Sequence, residues 1–208
     1  LDFIFDTSGS MHVPRLDASI ELMVVIIEGM KVAIQRLRDE QLIGGAYGDQ
    51  EPLRVGATVY SDKPQRVTKL TEPLNDEKEI KIVDECSKVG GGTDETAAVE
   101  EVHEGMKLGA PNVIKIITLL TDGDGNKEGI RPIIQQVEQD DQVVFLVVGI
   151  AADEKVAQDI VESYLQPLQK DKESTNVFGI AATDLKQVMP GVLEFLKAQV
   201  KKRSNWRN

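Results

Sequence analysis

Three short segments place oxygen-bearing side chains at spacings suited to holding a hard divalent cation. They are Asp6-Thr7-Ser8-Gly9-Ser10, Gly91-Gly92-Thr93-Asp94 and Thr121-Asp122-Gly123. Asp6 and Asp122 offer carboxylates, and Ser8, Ser10 and Thr93 offer hydroxyls. An all-oxygen donor set suits Mg2+ first and Mn2+ or Ca2+ next. The two carboxylates balance the ion's charge, while the neutral hydroxyls leave it a strong Lewis acid. Such an ion seeks one more anionic oxygen, and an Asp or Glu carboxylate on a partner protein would supply it. Taken singly, each serine or threonine fits helix capping or turn bracing equally well. The set in this order is what points to a metal.

Four neighbours are expected on the rim around that ion, within reach of a partner: Met11, His12, Asp94 and Asp124. Each has a plainer reading. His12 suits an exposed loop, Asp94 suits a helix cap, and Asp124 with Gly125 and Asn126 suits a turn. His103 reads as a helix-surface residue away from any metal set. Cys86 is the single cysteine, so no internal disulfide can form, and its apolar neighbours Ile82 and Val83 predict a buried thiol.

These residues need a scaffold that brings strand ends together. Leu1–Asp6 is a short apolar run, as in a central strand covered on both faces. Over 15–38, Leu16, Ile20, Met23, Val24, Ile27, Met30, Ile34 and Leu37 recur at steps of three and four, which predicts an amphipathic helix. Residues 43–52 read as a loop. Leu53–Tyr60 and Gln65–Leu70 predict a hairpin, with Pro64 disfavouring strand between them. Helices are expected at 76–88, Asp94–Leu108, 128–139 and 153–169, and strands at Val113–Leu120, Val143–Ile150 and Asn176–Ile180. A last helix over 184–202 is interrupted by Pro190.

Strand–helix alternation of this kind predicts an α/β fold: an open, mostly parallel sheet with one antiparallel edge strand and helices on both faces. In such sheets the carboxyl ends of the strands share one edge, where ligands bind. A single domain over 1–208 is expected, with its core in 1–200 and a basic tail in 201–208.

The first segment, continued by Met11, resembles the Asp-x-Ser-x-Ser signature of von Willebrand factor A domains. Thr93 in GGTDE and Asp122 in LLTDGDG stand where that family carries its threonine and later aspartate. The resemblance implies a Rossmann-like three-layer sandwich bearing a metal-ion-dependent adhesion site at Asp6, Ser8, Ser10, Thr93 and Asp122. It implies that Ser8 and Ser10 ligate directly, Thr93 and Asp122 directly or through water, and Asp6 mostly through water. His12-Val13-Pro14 stands where some integrin subunits carry further aspartates, so a second adjacent metal site is not expected.

A cation-dependent, adhesion-type protein-binding module is therefore the expected function. The alternative is an intracellular assembly part working with an AAA+ ATPase or in a chelatase-like complex. An Mg2+-dependent phosphoryl hydrolase is disfavoured, because Ser8 stands where a second aspartate would follow the first strand and no P-loop string is present. No enzyme is expected. The formal charge is −11; the last twelve residues hold five cations and no acid, which leaves −16 on residues 1–196. Such a body repels nucleic-acid backbones and anionic membranes. No apolar run is long enough to span a bilayer, and the opening LDFIFD reads as a strand, with no signal peptide visible in these residues. The isolated domain is expected to be monomeric.

Overall fold

Within each apolar run successive side chains must face opposite ways, so a strand buried on both faces needs two separate cores. The computed structural model has both. It describes residues 1–11, 13–39, 53–70, 75–88, 90–107, 113–140, 142–165 and 176–183, together with Pro190, Val192, Phe195, Ala198 and Gln199. The elements run β1 (Asp2–Asp6), α1 (Val13–Asp39), β2 (Gly56–Tyr60), β3 (Pro64–Thr68), α2 (Asp76–Cys86), α3 (Thr96–Lys107), β4 (Lys115–Thr121), α4 (Lys127–Gln139), β5 (Val143–Ile150), α5 (Glu154–Leu165) and β6 (Val177–Ala182).

The six strands form one sheet in the order β3-β2-β1-β4-β5-β6. Every pairing is parallel except β2 with β3. Phe3 and Phe5 of β1, with Val144, Leu146 and Val148 of β5, face a core completed by Leu22, Ile26 and Met30 of α1 and by Ile82 and Cys86 of α2. Ile4, Phe145 and Val147 face the other way, onto Val99 and Val102 of α3, Ile130 and Ile134 of α4, and Ile160 of α5. The three-layer α/β architecture expected from the sequence is thus present, with β3 as the antiparallel edge.

Several local expectations are corrected. Pro64 opens β3 instead of lying outside it; the first position of an edge strand tolerates a missing N–H. Val24 is 47% exposed, because the buried stripe of α1 runs through Leu22, Met23 and Ile26. His103 is buried at 2% exposure, on the same face of α3 as Val99 and Met106. Asn176 is buried and ends the polar stretch before β6: its side-chain amide donates to the carbonyls of Val137, Glu138 and Asp140, tying down the end of α4. The expected loop 43–52, the tail 201–208 and most of the helix expected over 184–202 lie outside the described residues. Pro190, Val192, Phe195, Ala198 and Gln199 are helical, and Phe195 packs edge-on against Phe178 of β6. Among the described residues, no helix is long and apolar enough to cross a membrane.

Candidate functional site

Parallel pairing puts the carboxyl ends of β1, β2 and β4 at one edge of the sheet. Asp6 is level with Tyr60, and Phe5 with Leu120. The chain winds from β1 outward to β2 on one side, and β4 lies on the other, so the loops after β1 and β4 flank the point where strand order reverses.

The loop after β1 folds tightly back on its own aspartate. The Ser8 N–H donates to Asp6 Oδ1 at 2.9 Å, and the Ser8 and Ser10 hydroxyl oxygens stand 3.0 Å apart. Thr7 locks the loop to β2, its N–H and its hydroxyl both donating to the Tyr60 carbonyl at 2.9 Å. Asp6 and Ser8 are fully buried, and Ser10 is half-buried. Met11, expected on the rim, is fully buried beneath it and offers no surface to a partner. His12 lies outside the described residues.

The glycine loop is laced to the first. The Gly90 N–H donates to the Thr7 carbonyl at 2.9 Å and the Gly9 N–H to the Gly91 carbonyl at 3.3 Å. Asp62, in the β2–β3 turn, accepts the Gly92 N–H at 2.6 Å. Gly91 has φ +85°, and a Cβ there would come within 2.8 Å of the Asp62 carboxylate. A side chain is excluded on both grounds. Thr93, half-buried, follows directly. Asp94 is exposed and accepts the Thr96 N–H at 3.0 Å, so the capping reading describes it; that bonding lowers its pKa.

The loop after β4 brings in the second carboxylate. The Asp122 side chain is 1% exposed, and Oδ2 accepts from Arg15 Nη1 at 2.7 Å. The same nitrogen lies 3.4 Å from the Ser10 carbonyl, which places Asp122 beside the first loop. Gly123, at φ +92°, turns the chain, and Asp124 beyond it is exposed. Asn126 caps α4 by accepting the Gly129 N–H at 3.2 Å. Hydrogen bonds therefore gather Asp6, Ser8, Ser10 and, through Arg15, Asp122; Thr93 is placed near them by its backbone neighbours.

Burial pushes the Asp6 carboxyl up to about 6, against the pull of the bonds from Ser8, and the negative charge of Asp122 adds to the rise. Among the described residues Asp6 Oδ2 and the buried Tyr60 hydroxyl each lack a geometric hydrogen-bond partner, although the Tyr60 hydroxyl lies close enough to favour the Asp6 charge. A carboxylate oxygen in that position, next to two hydroxyls and a second carboxylate, suits a hard cation. Among the described residues no group of three or more His, Cys, Asp or Glu side chains converges. A cation here would rely on two carboxylates and on hydroxyls.

Sequence reasoning missed three supporting residues. Arg15, in the first turn of α1, pairs with Asp122 across 107 positions of sequence. Glu95 is fully buried, accepting the Tyr164 hydroxyl at 2.9 Å and the Asn126 N–H at 2.7 Å, so it braces the loop that carries Asp122. Asp62 braces the glycine loop. For Glu95 a signal existed: it continues the stripe Ala98, Val99, Val102 and Met106 at helical spacing. For Arg15 and Asp62 none did.

Residues 1–190 match the model of the von Willebrand factor type A domain family. No curated protein matches the chain. Among solved structures, the manganese-loaded TRAP protein of Plasmodium vivax matches with TM-score 0.64 and 17% identity, over 94% of this chain and 72% of that one. An aerotolerance-related membrane protein of Bacteroides fragilis matches with TM-score 0.59 and 14% identity, over 97% and 98%. Proximal thread matrix protein 1 from the mussel byssus, with a zinc-occupied MIDAS motif, matches with TM-score 0.52 and 17% identity, over 95% and 45%. At these identities the likeness is one of fold.

Proposed function

The chain belongs to the von Willebrand factor type A family, whose domains generally serve as metal-dependent protein-interaction modules, and on that premise we propose that it grips a partner protein through a divalent cation. One observation carries this reading. At the carboxyl edge of the sheet the buried Asp6 carboxylate, whose Oδ2 has no hydrogen-bond partner among the described residues, is followed directly by Ser8 and Ser10, whose hydroxyl oxygens stand 3.0 Å apart. Ser8 and Ser10 would hold the ion directly, Thr93 and Asp122 directly or through water, and Asp6 mostly through water. The ion would be Mg2+, with Mn2+ or Ca2+ as substitutes. The manganese and zinc named for two proteins of the same fold support a divalent ion.

With two carboxylates against two positive charges, the bound ion keeps an appetite for one more anionic oxygen. An Asp or Glu side chain of the partner would fill it, and the exposed Asp124 and Asp94 would lie around that contact. The proposed role is binding. Immobilised protein should retain its partners from a cell extract in Mg2+ and lose them in EDTA. The Asp6→Ala variant should lose them even in Mg2+. The same proteins retained under all three conditions would overturn the proposal.

A further inference from the structure

The charge that meets Asp122 in this structure comes from the chain itself. Arg15 Nη1 stands 2.7 Å from Asp122 Oδ2, and the carboxylate is 1% exposed while the arginine side chain is 44% exposed. Nη1 also reaches the Ser10 carbonyl at 3.4 Å. One guanidinium nitrogen thus lies between the two loops that carry three of the five proposed cation-holding residues. We infer that Arg15 competes with the divalent cation for Asp122, so that its guanidinium sets how tightly the site holds metal.

The inference rests on the proposed cation site and on elementary electrostatics. A buried carboxylate needs a cationic partner or strong donors. Among the described residues Oδ1 has only a long contact, 3.4 Å, from the Asp124 N–H, so the main bond to Asp122 there is the one from Arg15. A metal ion drawing on the same carboxylate must share it with a fixed positive charge or displace that charge. Displacement is sterically open: the backbone of Arg15 is held in the first turn of α1, yet nearly half the side chain already faces water. Arg15 is a positioning residue in this sense. It keeps Asp122 aimed and compensated while the ion is away, and in doing so weakens metal binding.

The cost to metal affinity follows from the bond that must be given up. A hydrogen bond to a charged group is worth about tenfold to a hundredfold in an equilibrium constant. Exposed ion pairs are worth about fivefold at most. With one partner buried and the other half-exposed, about tenfold is expected.

The test is Mn2+ binding followed by the electron paramagnetic resonance signal of the free ion, on EDTA-stripped wild type, R15Q, R15M and R15K. R15Q and R15M should bind Mn2+ about tenfold more tightly than wild type, and R15K should stay close to wild type. The thermal midpoint of the stripped R15Q and R15M proteins should fall, a change that tighter metal binding alone would not produce. Should R15Q fail to fold, R15M carries the comparison. Equal or weaker Mn2+ binding by the neutral variants, with wild type binding normally, would overturn the role of Arg15 and leave the cation site standing. Absence of Mn2+ binding in wild type and all variants would overturn both.

Discussion

Replacing Asp6 by asparagine should stabilise the EDTA-stripped protein while removing its response to metal. The Asp6 carboxyl ionises near pH 6 in the folded chain instead of at 3.8. Each pH unit of that difference corresponds to about 1.4 kcal/mol, so the charged form costs on the order of 3 kcal/mol in the folded state. The sign follows from proton counting. Between pH 3.8 and about 6 the folded chain holds a proton on Asp6 that the unfolded chain has lost. Wild-type stability therefore falls as pH rises through that window and is fully reduced above it. Asparagine stays neutral throughout. Its carbonyl can still accept the Ser8 N–H, but its amide N–H groups must find acceptors, so the net gain expected is about 1–3 kcal/mol above pH 7. Urea unfolding of both stripped proteins across this pH range reads the difference directly. The advantage of the variant should fall by about 3 kcal/mol on acidification, leaving it level with or below wild type near pH 4. Saturating Mg2+ at about a hundredfold over its Kd should then raise wild type by about 2.7 kcal/mol and leave Asp6→Asn unmoved. A stripped variant less stable than wild type above pH 7, or a difference that ignores pH, would refute the electrostatic reasoning.

Two further outcomes concern the frame around the site. Tyr164→Phe removes the hydroxyl that donates to buried Glu95 Oε1 and should cost about 1–3 kcal/mol by urea unfolding, because a buried carboxylate oxygen is left unpaired. Divalent affinity should weaken with it, since Glu95 also holds the Asn126 N–H of the Asp122 loop. Gly123→Ala forces φ +92° on a residue with a Cβ, 2.7 Å from Ile160 Cγ1; a thermal midpoint lowered by the equivalent of about 1–3 kcal/mol is expected, with divalent affinity reduced as the Asp122 loop shifts.

The fold was legible in the sequence because its signals are local. LDFIFD and KIITLLT are apolar runs of strand length, each ended by a polar segment, and the helices between them show clear periodicity. The glycines and short polar residues after Asp6 and Asp122 mark where strands must stop. What could not be read was contact between distant segments. Arg15 meets a carboxylate 107 residues later in the chain, and Asp62 reaches the glycine loop from the β2–β3 turn, 30 residues before it. His103 and Glu95 are a different case. His103 lies on the buried stripe of α3 and Glu95 continues that stripe just before the helix; weighing polarity above helical period sends His103 to the surface and leaves Glu95 unread. Met11 follows the serine signature so closely that it reads as part of the site, yet its apolar side chain belongs to the packing below.

Calorimetric titration of Mg2+ and Mn2+ into EDTA-stripped protein, beside the Asp122→Ala variant, bears most directly on the cation-held grip. One ion per chain with a Kd at or below about a millimolar is predicted for wild type, with no saturable heat for Asp122→Ala. A wild-type chain that takes up neither ion in that range, or a variant whose isotherm matches wild type, would contradict it.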